Sequence, residues 1–387
     1  MIKTTDSLAD IKQALAADFI EDKQPLRDYA GFEVGSLHAG QARQTFSLVL
    51  SAQTISNIRD QIAVLYEQLI SECLPKHAPL PFDVVRFDAF LGADDEIKII
   101  ELNTRNVGLH EIAEWLDEVV GQCLSATTDF SINQHFVANQ KLLHSTLFGN
   151  AAPLLYMTNP LIPKWKYFAE LEKAYSSVCH VTAASDYVVT PHGLQVGETT
   201  YRAVSRKFSW GLSGDAEELD QSGKIRVLQP SWMRKFGHKN YLPQFKSPTI
   251  LASQQFEAGR LDEYCANKDE LVLKIINSGG SKSVYLGASV SSDEWREHLE
   301  HAAQKPELWV MQEYFAPPQH DIIVHGGKTQ NVPVQLGIFV LPKQHSHEFE
   351  IDFVVKAFGG EDAYFTFDPS GLNPDIWFGH VIAQTTH

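Results

Sequence analysis

VRFDAF (Val85–Phe90) and IKIIELN (Ile97–Asn103), joined by the polar turn LGADDE (Leu91–Glu96), read as two strands of a hairpin. Residues two apart on a strand share a side, so Arg86 pairs in direction with Asp88, and Glu101 with Asn103. With Asp94 and Asp95 as the central turn residues, Asp88 falls opposite Glu101 and Arg86 opposite Asn103. Two carboxylates, an amide and a guanidinium then converge on one patch. Hard oxygen ligands of this kind suit Mg²⁺, which is commonly shared with substrate phosphates, and the planar fork of an Arg suits a phosphate oxygen. The same residues would also serve as an ordinary solvated face, so nucleotide chemistry requires a phosphate grip elsewhere in the chain.

That grip is expected downstream. Lys274 stands in the middle of the apolar run LVLKII (Leu271–Ile276), where an ammonium is costly without a counter-charge unless it points to solvent from an edge strand. The loop Ser278-Gly279-Gly280-Ser281-Lys282-Ser283 follows, and its glycines let backbone N–H groups approach phosphate oxygens, although a plain hairpin loop reads the same way. Neither GxxxxGK[ST] nor GxGxxG occurs. Gln312, Glu313 and Tyr314 end the strand-like WVMQEYF (Trp309–Phe315), a place where backbone and side chains can meet a purine edge.

Length and composition bound the rest. With 387 residues the chain holds one large or two to three ordinary domains, and 44% hydrophobic with 21% charged residues is the composition of a globular protein. A net charge of −16 argues against a general nucleic-acid or anionic-membrane binder, although Arg234, Lys235, His238 and Lys239 form one local basic cluster and Arg202, Arg206 and Lys207 another. Cys73, Cys123, Cys179 and Cys265 are widely spaced, which excludes a CxxC zinc site and fits a reduced, cytoplasmic setting. The N-terminal MIKTTDSLADIKQAL reads as an amphipathic helix rather than a leader, and no apolar run reaches the ~20 residues of a membrane span.

Ile55, Ile58, Ile62, Leu65 and Leu69 recur at steps of three and four and predict a helix over 51–73. Further helices are expected at 109–125, 135–149, 165–176 and 292–303, with helical fragments at 231–245 and 255–267. Strands are expected at 153–157, 180–183, 187–189, 284–286, 332–341 and 349–358. The alternation of strand and helix over 151–230 suggests a small α/β unit.

Taken together, RFDAF…KIIELNT (86–104), RKFGHKNYL (234–242), VLKIINSGGSKSVYLG (272–287), VMQEYF (310–315) and VPVQLGIFVL (332–341) resemble the ATP-grasp superfamily in its circularly permuted form. The order of these pieces is similar to that in the synthetase domain of glutathionylspermidine synthase and its relatives. The resemblance spans about 84–358, is thin between motifs, and covers the ligase half alone, without the amidase domain fused to some relatives. It implies an α+β fold in which two subdomains grip the nucleotide, with an extra small α/β domain. The implied division is 1–150 for the N-terminal helices and metal-binding part, 151–230 for the small domain, 231–305 for the nucleotide-binding subdomain with its lid, and 306–387 for the hinge strand and the rest of the core.

The resemblance also implies ATP and Mg²⁺ as cofactors, with Asp88, Glu101 and Asn103 as metal ligands. Lys239, Lys274, Ser278, Gly279, Gly280, Ser281, Gln312, Glu313 and Tyr314 would bind the nucleotide. Arg86, Lys282 in the lid and Lys356 on the late strand DFVVKAF would act in catalysis, Lys356 standing near where the family carries an Arg. The implied activity is that of a carboxylate–amine ligase: ATP phosphorylates a carboxylate, and an amine displaces phosphate to form an amide. Its partners would be a small-molecule acid, an amino acid or short peptide, and an amine, with no nucleic acid and no membrane. Oligomeric state stays open, a homodimer being one option. Two other readings stand beside it, a small-molecule kinase and a nucleotide-binding scaffold without chemistry. The cluster Arg202, Arg206 and Lys207 could hold a substrate carboxylate or form a solvated face, and EIAEWLDE (111–118) could attract a polyamine or form the exposed side of a helix.

Overall fold

The computed structural model describes residues 3–5, 45–73, 84–104, 153–157, 178–181, 184–206, 212–277, 283–324, 327–342, 348–358 and 376–384, in a mixed α/β, strand-rich fold. The largest sheet draws on both ends of the chain. The first end supplies β1 (Lys3–Thr5), β2 (Thr45–Ser51), β3 (Val85–Leu91) and β4 (Ile97–Asn103); the last supplies β16 (Gln319–Val324), β17 (Lys328–Pro342), β18 (Phe349–Phe358) and β19 (Ile376–Gln384). Between them lie β5 (Leu154–Met157), β6 (Val178–Val181), β10 (Ala203–Ser205) and β11 (Arg226–Leu228) in a parallel sheet, with the meander β7 (Val188–Thr190), β8 (Gly193–Val196) and β9 (Thr199–Tyr201) inserted. A third four-stranded sheet is made of β12 (Ser253–Gln255), β13 (Leu271–Ile275), β14 (Val284–Leu286) and β15 (Trp309–Glu313).

Alternation fixes the two faces of the largest sheet. Phe87, Ala89 and Leu91 of β3, Leu336, Ile338 and Val340 of β17, and Phe353 and Val355 of β18 enter one apolar core. Helix α1 (Ala52–Cys73) closes that core with Ile55, Ile58, Ile62, Leu65 and Leu69, the residues whose spacing predicts it. Each such side chain contributes roughly 1.5–3 kcal/mol when fully buried. Arg86 and Asp88 therefore face the other way. The pairings of this sheet return on themselves: β2 joins β16, β16 joins β17, β17 joins β18, β18 joins β19 and β19 joins β2. Pro333, which has no N–H to donate, sits at the last residue of β17 paired with β16, just before β18 takes over as neighbour.

The hairpin register is Asp88 opposite Glu101 and Arg86 opposite Asn103, as alternation predicts, but by a different route. Gly92 N–H donates to the Glu96 carbonyl (2.7 Å), which makes the turn one residue longer than expected, and Asp95 adopts φ 58°. A bulge opposite Asp88 and Ala89 then absorbs one residue and restores the register.

Several other expectations are corrected. Lys3–Thr5, expected in a helix, is a strand paired in parallel with β19. Its two Thr residues suit a strand better than a helix. Ser231–Gly237 and Leu242–Gln244 are 3₁₀ turns, because Gly237 and Pro243 interrupt helical continuity. In 255–267 Leu261–Ala266 is α-helical (α3, after α2 at Gly214–Gln221) and follows directly on the 3₁₀ turn Ala258–Arg260, while Gln255 is the last residue of strand β12. The helices expected at 109–125, 135–149 and 165–176 lie outside the described residues. Among the described residues, no helix is long and apolar enough to cross a membrane.

On the third sheet, Leu271, Leu273, Ile275, Trp309 and Met311 pack against Tyr264 of α3 and against Trp295, Leu299 and Ala302 of α4 (Ser292–Ala303). Ser291 and Glu294 form a capping box that starts α4. Val272, Lys274, Val310 and Gln312 consequently occupy the opposite face. The sheet is braced where Lys268 Nζ donates to the carbonyls of Gly287 (2.6 Å) and Val290 (2.9 Å). A Cβ on Gly287 would stand 1.8 Å from the Lys268 carbonyl oxygen, so Gly287→Ala must push these two turns apart. We expect a loss of about 3 kcal/mol in urea unfolding, at the upper end of overpacking penalties; a loss under about 0.5 kcal/mol would mean that this approach is not constrained.

Candidate functional site

Two sheet faces meet over the hairpin. The chain reaches the third sheet along 249–252, where Ile99 N–H donates to the Thr249 carbonyl (2.7 Å) and Leu251 N–H to the Ile99 carbonyl (3.3 Å), so this segment lines the edge of β4. It leaves through 314–318 into β16, and the two crossings are tied by Glu313 N–H to the Ala252 carbonyl (2.7 Å). Phe90 and Ile100 of the hairpin, Leu251 of the first crossing and Phe315 of the second form an apolar cluster there, with the Phe90 and Phe315 rings stacked at 6.1 Å.

Within this frame Arg86 grips Asp88 with both arms of its fork, Nε to Oδ1 at 2.6 Å and Nη2 to Oδ2 at 3.0 Å, and both residues are buried (8% and 4% exposed). The room for the Arg86 side chain comes from Gly337 on β17, opposite Asp88; a Cβ at that position would lie 3.1 Å from Arg86 Cδ. The guanidinium also lies 5.9 Å above the Phe339 ring.

Lys239 Nζ reaches Glu101 Oε1 at 3.3 Å. It is brought there because Ser231–Gly237 runs against the end of β4: a Cβ on Gly237 would meet Thr104 Oγ1 at 3.3 Å, and Thr104 Oγ1 itself donates to the Met233 carbonyl (2.9 Å). Lys274 Nζ donates to Gln312 Oε1 from the neighbouring strand β15. Lys356, on β18, completes the set from the large sheet.

Electrostatics show how close these groups are. Burial pushes the Asp88 carboxyl up, but the charges of Arg86 and Lys356 and the Arg86 fork outweigh it and hold the group below the ordinary carboxylate range. The Asn103 amide adds to that lowering from the opposite strand, although its Nδ2 is buried outside hydrogen-bond geometry to any partner. Burial pulls Lys274 down to about 8; Glu101 and Asp88 oppose this and Lys239 reinforces it. Lys356 is likewise lowered by burial, with Asp88 and Glu101 opposing and Arg86 reinforcing. One guanidinium, three ammonium groups, two carboxylates and an amide are therefore electrostatic neighbours in one largely buried cluster, drawn from both sheets and the segment that carries Lys239.

The residues expected from sequence divide accordingly. Arg86, Asp88, Glu101, Asn103, Lys239, Lys274, Gln312 and Lys356 come together. Glu313 is exposed, and the N–H groups of Glu313 and Tyr314 donate to the carbonyls of Ala252 and Glu270, so these two amides are already engaged within the protein. Ser278, Gly279, Gly280, Ser281 and Lys282 lie outside the described residues. The two basic clusters are not patches. Arg234 and Lys235 are exposed while Lys239 turns inward, and Arg202 is exposed, donating to the His192 carbonyl (3.1 Å), while Arg206 is fully buried. Lys207 and 111–118 lie outside the described residues.

Gly337 and Gly237 are site-forming residues that sequence reading passed over. A lone Gly inside the apolar run VPVQLGIFVL signals a close approach of another chain, and that signal was available.

Among the described residues no group of three or more His, Cys, Asp or Glu side chains forms a metal-binding arrangement, so a cation would rest on two carboxylates and an amide. That donor set is all hard oxygen once the Asn103 amide turns to present Oδ1, which the orphaned Nδ2 permits, and it fits Mg²⁺.

Comparison with known proteins bears on the fold. A glutathione synthetase-like effector from Globodera pallida, solved in its apo form, matches with a TM-score of 0.57 over 97% of this chain and 96% of that chain, at 12% sequence identity. The likeness is one of fold. A putative gamma-glutamylcysteine synthetase from Methylobacillus flagellatus matches at a TM-score of 0.44 and 9% identity over 83% of this chain and 87% of that chain, too weakly to carry an argument. No family model and no curated protein sequence matches the chain.

Proposed function

We propose that this protein is an ATP-dependent carboxylate–amine ligase of the circularly permuted ATP-grasp type, acting on an amino acid or short peptide and a small amine. The observation that carries the reading is the convergence of Arg86, Lys239, Lys274 and Lys356 with Asp88, Glu101 and Asn103 in one pocket between two sheets. Four cationic groups gathered beside two carboxylates among the described residues suit a bound polyphosphate. The fold of a glutathione synthetase-like protein is consistent with this chemistry. So is the chain order, with the carboxylate hairpin ahead of the lysine strand and β15.

In this reading Lys274 binds phosphate oxygens from the third sheet, and Lys239 does so from the segment that follows the Ser231–Gly237 turn. Arg86 and Lys356 stabilise charge on the transferred phosphoryl group from the large sheet, with Lys282 closing from the lid. Asp88, Glu101 and Asn103 would hold Mg²⁺, which when bound neutralises and orients the phosphates. Val272 and Val310, on the same face as Lys274, present an apolar surface that excludes water from the reacting groups. The acid is activated as an acylphosphate, and the amine displaces phosphate. Domain boundaries near 150, 230 and 305, and a cytoplasmic setting, belong to the same proposal.

A scaffold reading has one observation in its favour: both oxygens of Asp88 are already engaged by Arg86. A screen of amino-acid and amine pairs, scored by ADP formation and product mass, separates the alternatives. We expect ADP and an amide only when acid and amine are both present. A stable phosphorylated acid would indicate a kinase, and no turnover with any pair would favour the scaffold.

A further inference from the structure

The Arg86–Asp88 fork has a consequence for the order in which ligands enter, and it rests on the functional reading above. A hard cation needs the oxygen lone pairs of Asp88, yet Oδ1 and Oδ2 each accept an Arg86 N–H, at 2.6 and 3.0 Å. The pair is buried, Arg86 is confined between Gly337 and the Phe339 ring, and Lys356 adds a second positive charge beside the same carboxylate. An incoming Mg²⁺ would have to shed water, break a bidentate charge-assisted pair and approach two fixed cations, Arg86 and Lys356. A polyphosphate changes each of these conditions. Its oxygens suit the Arg86 fork as well as the carboxylate does, so Arg86 can turn to the phosphate while Asp88 is released.

We propose that Arg86 is a latch on the metal site: in the nucleotide-free protein it occupies Asp88 and keeps the cation out, and phosphate binding draws it away and opens the site. Arg86 is then a positioning residue for Asp88 before it touches any phosphate. The latch couples metal and nucleotide binding, each raising the affinity of the other by the same factor. It also prevents the carboxylates from being saturated by cation in the absence of substrate.

The test is a calorimetric titration of Mn²⁺, used as the probe cation, into nucleotide-free protein. The wild type is expected to show no saturable binding up to millimolar Mn²⁺. Arg86→Gln, which frees Asp88, is expected to bind Mn²⁺ at least tenfold more tightly than the wild type, and adding Asp88→Asn to it should abolish the gain. Arg86→Lys keeps the charge but cannot form the fork, so it should show a smaller gain and provides a second variant if the Gln form does not fold. Wild-type protein that binds Mn²⁺ as tightly as the Arg86 variants would overturn the latch. A parallel titration of ADP, with EDTA and with Mg²⁺, tests the functional reading separately: absence of ADP binding in both would remove that reading, whatever the Mn²⁺ result.

Discussion

Lys274→Met is expected to weaken nucleotide binding about 100-fold while making the nucleotide-free protein more stable. The two effects share a cause. The ammonium sits in an apolar strand, 6% exposed, and burial brings it down from 10.5 to about 8. Below pH 8 it is charged in both folded and unfolded chains, and the folded chain carries the desolvation cost. The gap corresponds to about 3 kcal/mol, reduced in practice by the lost bond to Gln312. Between pH 8 and 10.5 the unfolded chain holds a proton that the folded one has released, so this group makes wild-type stability rise with pH across that window. Lys274→Met removes the rise. A phosphate needs the charged form, so wild-type nucleotide affinity should fall as pH increases above 8, and the variant should not show that dependence. A buried charge-assisted bond contributes about 1.5–3 kcal/mol, which sets the expected change in Kd at about 100-fold. Calorimetric titration with ADP and urea unfolding at pH 7 and 9.5 measure both sides. Unchanged affinity would remove Lys274 from the phosphate site.

Asp88→Asn is expected to lower ATP turnover on the order of 10³-fold, comparable to removing a principal electrostatic group from an active site. The carboxylate is the shared partner of Arg86 and Lys356, and an isosteric amide keeps at most one bond to Arg86 and no charge for either. Breaking a buried pair typically costs 3–5 kcal/mol, and because the amide retains shape and one bond, about 2 kcal/mol is expected here. Glu101→Gln should likewise abolish turnover with a smaller stability loss, since Glu101 is only half buried and its partner Lys239 is 3.3 Å away. Turnover near the wild-type rate in either folded variant would withdraw the metal assignment.

The pocket was legible where chemistry follows strand period. Arg86 and Asp88, and Glu101 and Asn103, are each two apart, so alternation puts each pair on one side of its strand, and the assumed turn centre set the pairs opposite one another; Lys274 is conspicuous because an ammonium in LVLKII must meet something. Lys356 became readable only through the resemblance, since one Lys in DFVVKAF is unremarkable until Asp88 is seen across β17. What escaped depends on pairs of chain segments far apart in sequence. The bulge beside Asp88 compensates for a longer turn, and no local pattern distinguishes that pair of deviations from a two-residue turn with straight strands. The spacing of Trp232, Met233 and Phe236 suits a 3₁₀ turn as well as an α-helix, so the periodicity there was ambiguous. β2, β16 and β19 were missed because their neighbours come from opposite ends of the chain. The engagement of the Glu313 and Tyr314 amides is likewise set by Ala252 and Glu270, which sequence proximity does not reveal.

The two crossings that tether the third sheet to the large one run side by side and are laced by the Glu313–Ala252 bond. That bond makes them one double tether, and the Lys239 N–H to Ile276 carbonyl bond (3.4 Å) adds a second tie, so the placing of Lys274 and Gln312 against Arg86 and Asp88 depends on several chain segments acting jointly rather than on any one of them.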